Sequence, residues 1–382
     1  MLPLQKLHTL RHTLHTNAEV SGDECETAAC IKSYLSNLKP DSLLSELGGH
    51  GIVATFDSGS AGPSLLFRCE LDALPIQEIN DFAHRSAVNG VSHKCGHDGH
   101  MAIVCGLAEL LATNRPSHGK VHLLFQPAEE TGQGAACVLR DPRFAEIKPD
   151  MAIALHNLPG YPRNAVVVKE GIFTAAVSSL IIRLVGRTAH ASEPEHGINP
   201  ALAVAELLRA SDSFNLNYPE SPNFCLVTPV HVRVGSAAYG VSAGDGEAHF
   251  TLRCWDTERL EQLRASMTTL AEEIAAQHGL QLSTETLQNF HANVNDATAT
   301  NWVRQAARKI GLEVIERSAP LKGGEDFGIF TSRFPCCMFG LGAGEDLPAL
   351  HNPDYDFPDA ILESGVRVFE EVVRALHVLD AG

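Results

Sequence analysis

No stretch of this 382-residue chain approaches the roughly 20 continuous apolar residues that a membrane-spanning helix needs. A membrane is therefore not an expected partner. The opening Met-Leu-Pro-Leu-Gln-Lys-Leu-His-Thr-Leu lacks the apolar core of a secretion signal and reads as an amphipathic helix. Basic residues are in short supply: 29 Lys and Arg against 46 Asp and Glu give a net charge of −17. Nucleic acid is excluded on that ground, because phosphate binding needs a basic face. Internal repeats, low-complexity tracts and linkers rich in proline and serine are missing. So is any Cys-x-x-Cys spacing among the ten cysteines. Cys69, Cys105 and Cys225 lie inside apolar runs, where a free thiol behaves as a small buried hydrophobe. With no secretion signal, this points to a reducing, cytoplasmic setting. Cys95 stands apart from that reading.

The chain is too long for one comfortable core, so two domains are expected. Over the first 176 residues, strand-like runs (Leu65–Cys69, Val121–Phe125, Met151–Leu155) alternate with helical ones (His100–Thr113, Ala135–Leu139), which implies an α/β sheet with helices on its faces. The order then changes to strand 178–187, helix 199–214, strands 224–233 and 246–255, helix 257–279 and strand 280–288. That is the β-α-β-β-α-β unit of ferredoxin-like domains. A helix at 298–311 and a strand at 335–341 resume the first rhythm. The expected organisation is a discontinuous domain over 1–176 and 291–382, with 177–290 inserted.

Most of the nineteen histidines need no function, but His93-Lys-Cys95-Gly96-His97-Asp98-Gly99-His100 gathers five side chains that ligate metals or titrate near neutral pH within eight positions, with two glycines letting the backbone turn. Imidazole and thiolate suit Zn, Co, Mn or Fe. The segment runs into an apolar helix, whose N-terminus favours a thiolate. A blander reading makes Asp98 a helix cap. A closed structural zinc site lacks partners. Two further strands lead into ligating residues: Val121–Gln126 runs into Glu129-Glu130, and Met151–Leu155 is read as ending at His156. Tandem carboxylates point different ways, so one can bind metal while the other acts as general base. Strand ends are where α/β sheets place their sites. His351, in the loop Leu350-His-Asn-Pro-Asp354, is the best remaining ligand.

The runs Arg68-Cys-Glu-Leu-Asp72-Ala-Leu-Pro75, Cys95-Gly-His-Asp-Gly-His100, Gln126-Pro-Ala-Glu-Glu130, Leu155-His156, Gly186-Arg-Thr-Ala-His190-Ala, Gly324-Glu-Asp-Phe327 and Leu350-His351 resemble the M20 metallopeptidases. Their aminoacylase, hippurate hydrolase and auxin-conjugate amidohydrolase branch is the closest match. Arg11, His15, Glu19, Glu24 and Thr27 match that group's first helix. The resemblance implies a mixed-sheet, zinc-peptidase-like catalytic domain with an inserted lid or dimerisation domain. It implies two divalent metals (Zn, Mn, Co or Ni) on Cys95, His97, Glu130, His156 and His351, with Glu129 as general base. It further implies that Asp72 orients a ligand histidine, that His190 reaches across a homodimer interface to the tetrahedral intermediate, and that Arg253 binds the substrate carboxylate. The expected reaction is amide hydrolysis of an N-acyl amino acid or a related peptide-like small molecule.

Four positions depart from the family pattern: Glu70 replaces aspartate, Ala18 a proline, Gly324 a serine, and Gly240 the asparagine of an Asn-Val-Ile-Pro run. The last bears on the substrate class. A dipeptidase or carboxypeptidase of the same family is one alternative, and a non-catalytic metal-binding homologue another. A cysteine nucleophile at Cys95 explains neither Glu129-Glu130 nor His156.

Overall fold

In the computed structural model, which describes residues 2–376, the chain divides into two compact units. The first comprises 1–173, 293–318 and 326–382, and the second 174–292 and 319–325. The segment 319–325 thus groups with the second unit, although the sequence rhythm assigns it to the first. The physical reason is backbone pairing: Thr174 bridges Leu321 in parallel, and Ala175 N–H donates to Leu321 O at 3.0 Å.

Among the described residues, eight strands of the first unit form one sheet. Their order is Ser42–Leu47, Gly51–Asp57, Lys120–Gln126, Ser64–Glu70, Met151–Pro159, Cys336–Gly344, Val166–Val168 and Val314–Glu316. Ser64–Glu70, Lys120–Gln126, Met151–Pro159 and Cys336–Gly344 pair in parallel at its centre, while Gly51–Asp57 joins antiparallel at one side. The central strands are buried on both faces and are continuous apolar runs rather than alternating ones. Helices Leu4–Thr16, His97–Thr113, Ala297–Lys309 and Leu362–Ala375 pack together through Leu7, Leu10, Val104, Val303, Val366 and Phe369 in the same core. His97–Thr113 is buried almost all round, as an apolar helix without a polar face must be.

In the second unit the strands run Cys225–Val234, Asp245–Cys254, Ala176–Val185 and Gln281–Phe290, all antiparallel. Two helices, Ala201–Ser211 and Thr257–Gln277, pack against them, completing the β-α-β-β-α-β order. Along Asp245–Cys254 burial alternates strictly: Ala248, Phe250 and Leu252 face the core while Glu247, His249 and Arg253 face outward, the period of two that a half-covered strand requires.

The first helix is tied to the start of His97–Thr113 by buried charge. Arg11 Nη1 donates to Asp98 Oδ2 at 3.0 Å and Asp356 Oδ1 at 2.9 Å. His15 places Nδ1 2.9 Å from Asp98 Oδ2 and Nε2 3.1 Å from Glu78 Oε1. Both partners are carboxylates, so both ring nitrogens donate and His15 is an imidazolium. Burial alone lowers its pKa, but Asp98, followed by Glu78, lifts it to about 9. Asp98 is therefore an ion-pair partner, not the helix cap that its position allows. The cap position is Gly96, and no side chain caps the helix.

A folded-state pKa raised above the unfolded value stabilises fully below about pH 6.5 and is lost as pH rises towards 9. A rise of this size corresponds to about 3 kcal/mol. Wild type minus His15→Gln, measured by urea unfolding, should shrink by about that amount between pH 6.5 and 9. A difference independent of pH would rule out the imidazolium.

Candidate metal centre

Of the chemistry-rich run 93–100, Cys95 and His97 group with His156, and His100 groups with Glu70 and His97. Cys95 precedes Gly96, whose φ of +92° and approach to Asn157 Oδ1 (a Cβ would sit 2.5 Å from it) both demand glycine. Gly99 does not turn the chain. It lies in the helix, where a Cβ would strike the Phe357 ring at 2.3 Å. His97 Nδ1 donates to the Asp72 carbonyl at 2.8 Å, which leaves Nε2, buried and without a hydrogen bond, as the nitrogen that presents a lone pair once the ring is neutral. His156 Nδ1 donates to Asn157 O at 2.9 Å, so its Nε2 is likewise the lone-pair nitrogen, 3.4 Å from Cys95 Sγ. Fixing Nδ1 on a carbonyl is how proteins set a ligating tautomer. His156 does not end its strand: Met151–Pro159 continues past it because Cys336–Gly344 pairs alongside, Gly340 opposite His156.

The two carboxylates come from the turn after Lys120–Gln126. Ala128 adopts φ +50°, a left-handed conformation costly for a residue with a Cβ. It is held there by Glu24, whose Oε1 accepts Ala128 N–H at 2.7 Å and Gly22 N–H at 2.9 Å. Asp72 Oδ2 accepts the Glu130 N–H at 2.9 Å and the Ser21 hydroxyl at 2.6 Å. Asp72 therefore holds His97 through its backbone and the Glu130 main chain through its carboxylate; Oδ1 lies 3.5 Å from His97 Nδ1.

Two groups of ligating atoms result. Those of Cys95, His97 and His156 lie within 4.8 Å of one another, and so do those of Cys95, Glu130 and His351. Cys95 Sγ belongs to both. Glu129 Oε2 is 3.8 Å and Glu130 Oε1 3.9 Å from His97 Nε2, and Glu130 Oε1 is 3.8 Å from His351 Nε2. His351 is half-exposed, on a loop with φ +67°. Burial lowers the pKa of His97, yet the Asp72 hydrogen bond, Glu70 and Glu130 outweigh it and raise it to about 10. His156 is pushed down to about 3 by burial, then by His100 and His97, so it stays a neutral ligand. A field that draws positive charge to His97, beside a thiol, carboxylates and the lone-pair nitrogen of His156, fits divalent cations with mixed N, O and S donors.

His100 stands behind the site. Its Nδ1 donates to Glu70 Oε2 at 2.7 Å, its Nε2 lies 2.5 Å from Asn157 Oδ1 and 3.2 Å from the Asn157 backbone nitrogen, and Asn157 Nδ2 donates to the Tyr355 hydroxyl. Glu70 also pairs with Arg68, whose Nη2 donates to Asp326 Oδ1 at 2.7 Å. Asp326 Oδ2 accepts the Ala135 N–H at 2.8 Å. Burial raises the Glu70 pKa, but Arg68 and His100 dominate and hold it well below the usual range. Glu24, Glu70 and Asn157 are thus supporting residues to which sequence reasoning gave no role. Glu24 matched the family's first helix, Glu70 departed from the family pattern, and Asn157 carried no signal.

His190 and Arg253 belong to the second unit. His190 is exposed, in a short ribbon opposite Val241. Ser192 N–H donates to its Nδ1 at 3.2 Å and the Ser192 hydroxyl lies 2.6 Å away. The neutral ring therefore carries its proton on Nε2. Arg253 Nη1 donates to Lys322 O at 2.6 Å.

Residues 66–375 match peptidase family M20/M25/M40. The chain is 32% identical over 380 residues to N-acetyl-L-cysteine deacetylase of Bacillus subtilis, covering 97% of this chain and 88% of that protein. It is 27% identical to hippurate hydrolase of Campylobacter jejuni, covering 95% and 94%. It superposes on a dinuclear metal-binding M20 peptidase from Bacillus subtilis with a TM-score of 0.82 at 27% identity, covering 98% and 99%.

Glu24→Ala leaves the Ala128 amide without its acceptor in a buried turn, which costs about 1–3 kcal/mol. Urea unfolding should register that loss. An unchanged midpoint would mean that another acceptor holds the turn.

Proposed function

The chain belongs to peptidase family M20/M25/M40 and is a metal-dependent amidohydrolase, and from that premise we propose that it hydrolyses the amide bond of N-acyl amino acids. The observation that carries this reading is the pair of ligand trios sharing Cys95, with Glu129 beside them. Cys95, His97, Glu130, His156 and His351 would hold two divalent ions. When bound, these ions polarise the amide carbonyl and make water a nucleophile near neutral pH. Glu129 accepts the proton of the attacking water and returns it to the departing amine. His190 donates from Nε2–H to the developing oxyanion, the tautomer that the Ser192 amide favours. Arg253 receives the substrate carboxylate. Relatives named for removing acetyl and benzoyl-type groups from amino acids support the N-acyl class. The inserted unit, 177–290 in the sequence reading, serves as lid and dimerisation domain.

Glu129→Gln is isosteric but cannot take the proton. It should retain metal, read by elemental analysis, while turnover of N-acetyl and N-benzoyl amino acids falls by about 10²–10⁴-fold. Dialysis against chelator should abolish wild-type turnover, and added Zn, Mn, Co or Ni should restore it. Full activity of the variant at normal metal content would remove Glu129 from the mechanism.

We further infer a homodimer in which His190 serves the partner subunit's site. Mixing Glu129→Gln with His190→Ala under subunit exchange creates a heterodimer with one complete site. Activity should recover to roughly a quarter of wild type, against single variants each depressed by about 10²-fold or more. Demonstrated exchange without recovery would exclude action in trans.

A further inference from the structure

Cys225 and Cys254, both in the second unit, are register partners on adjacent antiparallel strands. The Cys225 main chain bonds the other way: its N–H donates to Leu216 O at 3.3 Å and its C=O accepts Leu216 N–H at 2.9 Å. A residue in an antiparallel strand points both groups to one side, so Cys225 and Cys254 form a non-hydrogen-bonded pair. In such pairs the Cα atoms are about 4.5 Å apart and the side chains close, and disulfides accept Cα separations from about 4.4 Å upward. The two Sγ atoms are 3.3 Å apart. Arg259, in the first turn of Thr257–Gln277, donates from Nε to Cys225 Sγ at 3.1 Å. Cys225 is 4% exposed and Cys254 fully buried, which makes Cys225 the sulfur that a small solute meets first.

We propose that Cys225 and Cys254 are an oxidation site for peroxides, in which Arg259 presents Cys225 as a thiolate and Cys254 resolves it into a disulfide. The thiolate attacks one peroxide oxygen, the O–O bond breaks, and hydroxide leaves to be protonated, giving Cys225 sulfenic acid. Cys254 sulfur then attacks Cys225 sulfur. The S–O bond breaks, and the Cys254 thiol proton leaves with the oxygen as water. Two thiols lose two electrons and the peroxide becomes two waters. The Cys254 hydrogen bond, ahead of Arg259, brings the Cys225 pKa down to about 6, against burial. Burial pushes Cys69, Cys105, Cys336 and Cys337 up instead. The neighbours Cys336 and Cys337 share one strand and so point to opposite faces. In a reducing setting such a bond is transient and reversible.

The experiment treats the whole enzyme with hydrogen peroxide at pH 7, blocks the remaining thiols, and follows each cysteine by peptide mass spectrometry. Cys225 and Cys254 should disappear together into one cross-linked species 2 Da lighter and return with dithiothreitol. The rate should rise through about pH 6, and Arg259→Leu should slow it about tenfold at pH 7 by leaving the thiol protonated. With Cys254→Ser, the reaction should stop at a Cys225 sulfenic acid that dimedone traps, which tests the pair without relying on a disulfide. The proposal is overturned if Cys225 reacts no faster than Cys336 and Cys337, if the Arg259→Leu rate is unchanged in a folded variant, or if the cross-link forms only in urea.

Discussion

Carboxylates shut away from water must meet positive charge, because an uncompensated buried ion costs several kcal/mol. The first unit is arranged around that requirement. Glu78 and Asp98 are answered by Lys94, His15 and Arg11. Glu70 and Asp326 are answered by Arg68, with His100 completing Glu70. Near Asp72, Glu129 and Glu130 lie the imidazoles of His97 and His351, and the Ser21 hydroxyl bonds Asp72. The field there raises His97, and a bound cation would satisfy the same field while releasing the ring to act as a neutral ligand. The ion pairs behind the site thus do more than stabilise. They compensate their own carboxylates, so that the acidic groups beside His97 act on its ring and raise its pKa.

Rigidity follows from the same network. Arg11 and His15 fix Asp98 at the start of His97–Thr113, and the His97 ring is held by its Nδ1 bond to Asp72 O. Glu24 and Asp72 hold the Ala128–Glu130 turn by main-chain bonds. Glu129 and Glu130 are adjacent in sequence yet distinct in task, because a left-handed residue just before them sets their direction. A metal site needs ligand placement within a few tenths of an ångström, and main-chain anchors supply it where a free loop would not.

What could be read from sequence was local. Apolar runs located the four central strands of the large sheet but not Ser42–Leu47, Gly51–Asp57, Val166–Val168 or Val314–Glu316, and the tight cluster around Cys95 marked the candidate site, because ligand chemistry is rare at that density. What could not be read was long-range or conformational. Arg68 meets Asp326 across 258 positions, and Asn157 meets Tyr355 across 198, separations that no local pattern encodes. The end of Met151–Pro159 was misjudged because a parallel neighbour extends it beyond the point where its apolar run stops. Gly99 looked like a turn residue, but its need is steric, set by Phe357 far along the chain. Residues 319–325 group with the second unit through the bridge of Leu321 to Thr174 and its hydrogen bond from the Ala175 N–H, backbone pairings that carry no side-chain signature.

Gly240 separates what the fold demands from what the substrate demands. Its backbone is not left-handed, and a Cβ there would meet no atom within 4 Å. Its carbonyl accepts the Ala191 N–H at 3.0 Å, a bond any residue could make. Glycine at this position is therefore not a structural requirement, unlike Gly96. The neighbouring Tyr239 is 97% exposed, and the same short ribbon carries His190 opposite Val241. An asparagine side chain would offer an amide donor and acceptor at this tip, and glycine offers neither. The difference from the family pattern thus leaves the metal cluster and the fold untouched. It changes only the polar groups available beside His190.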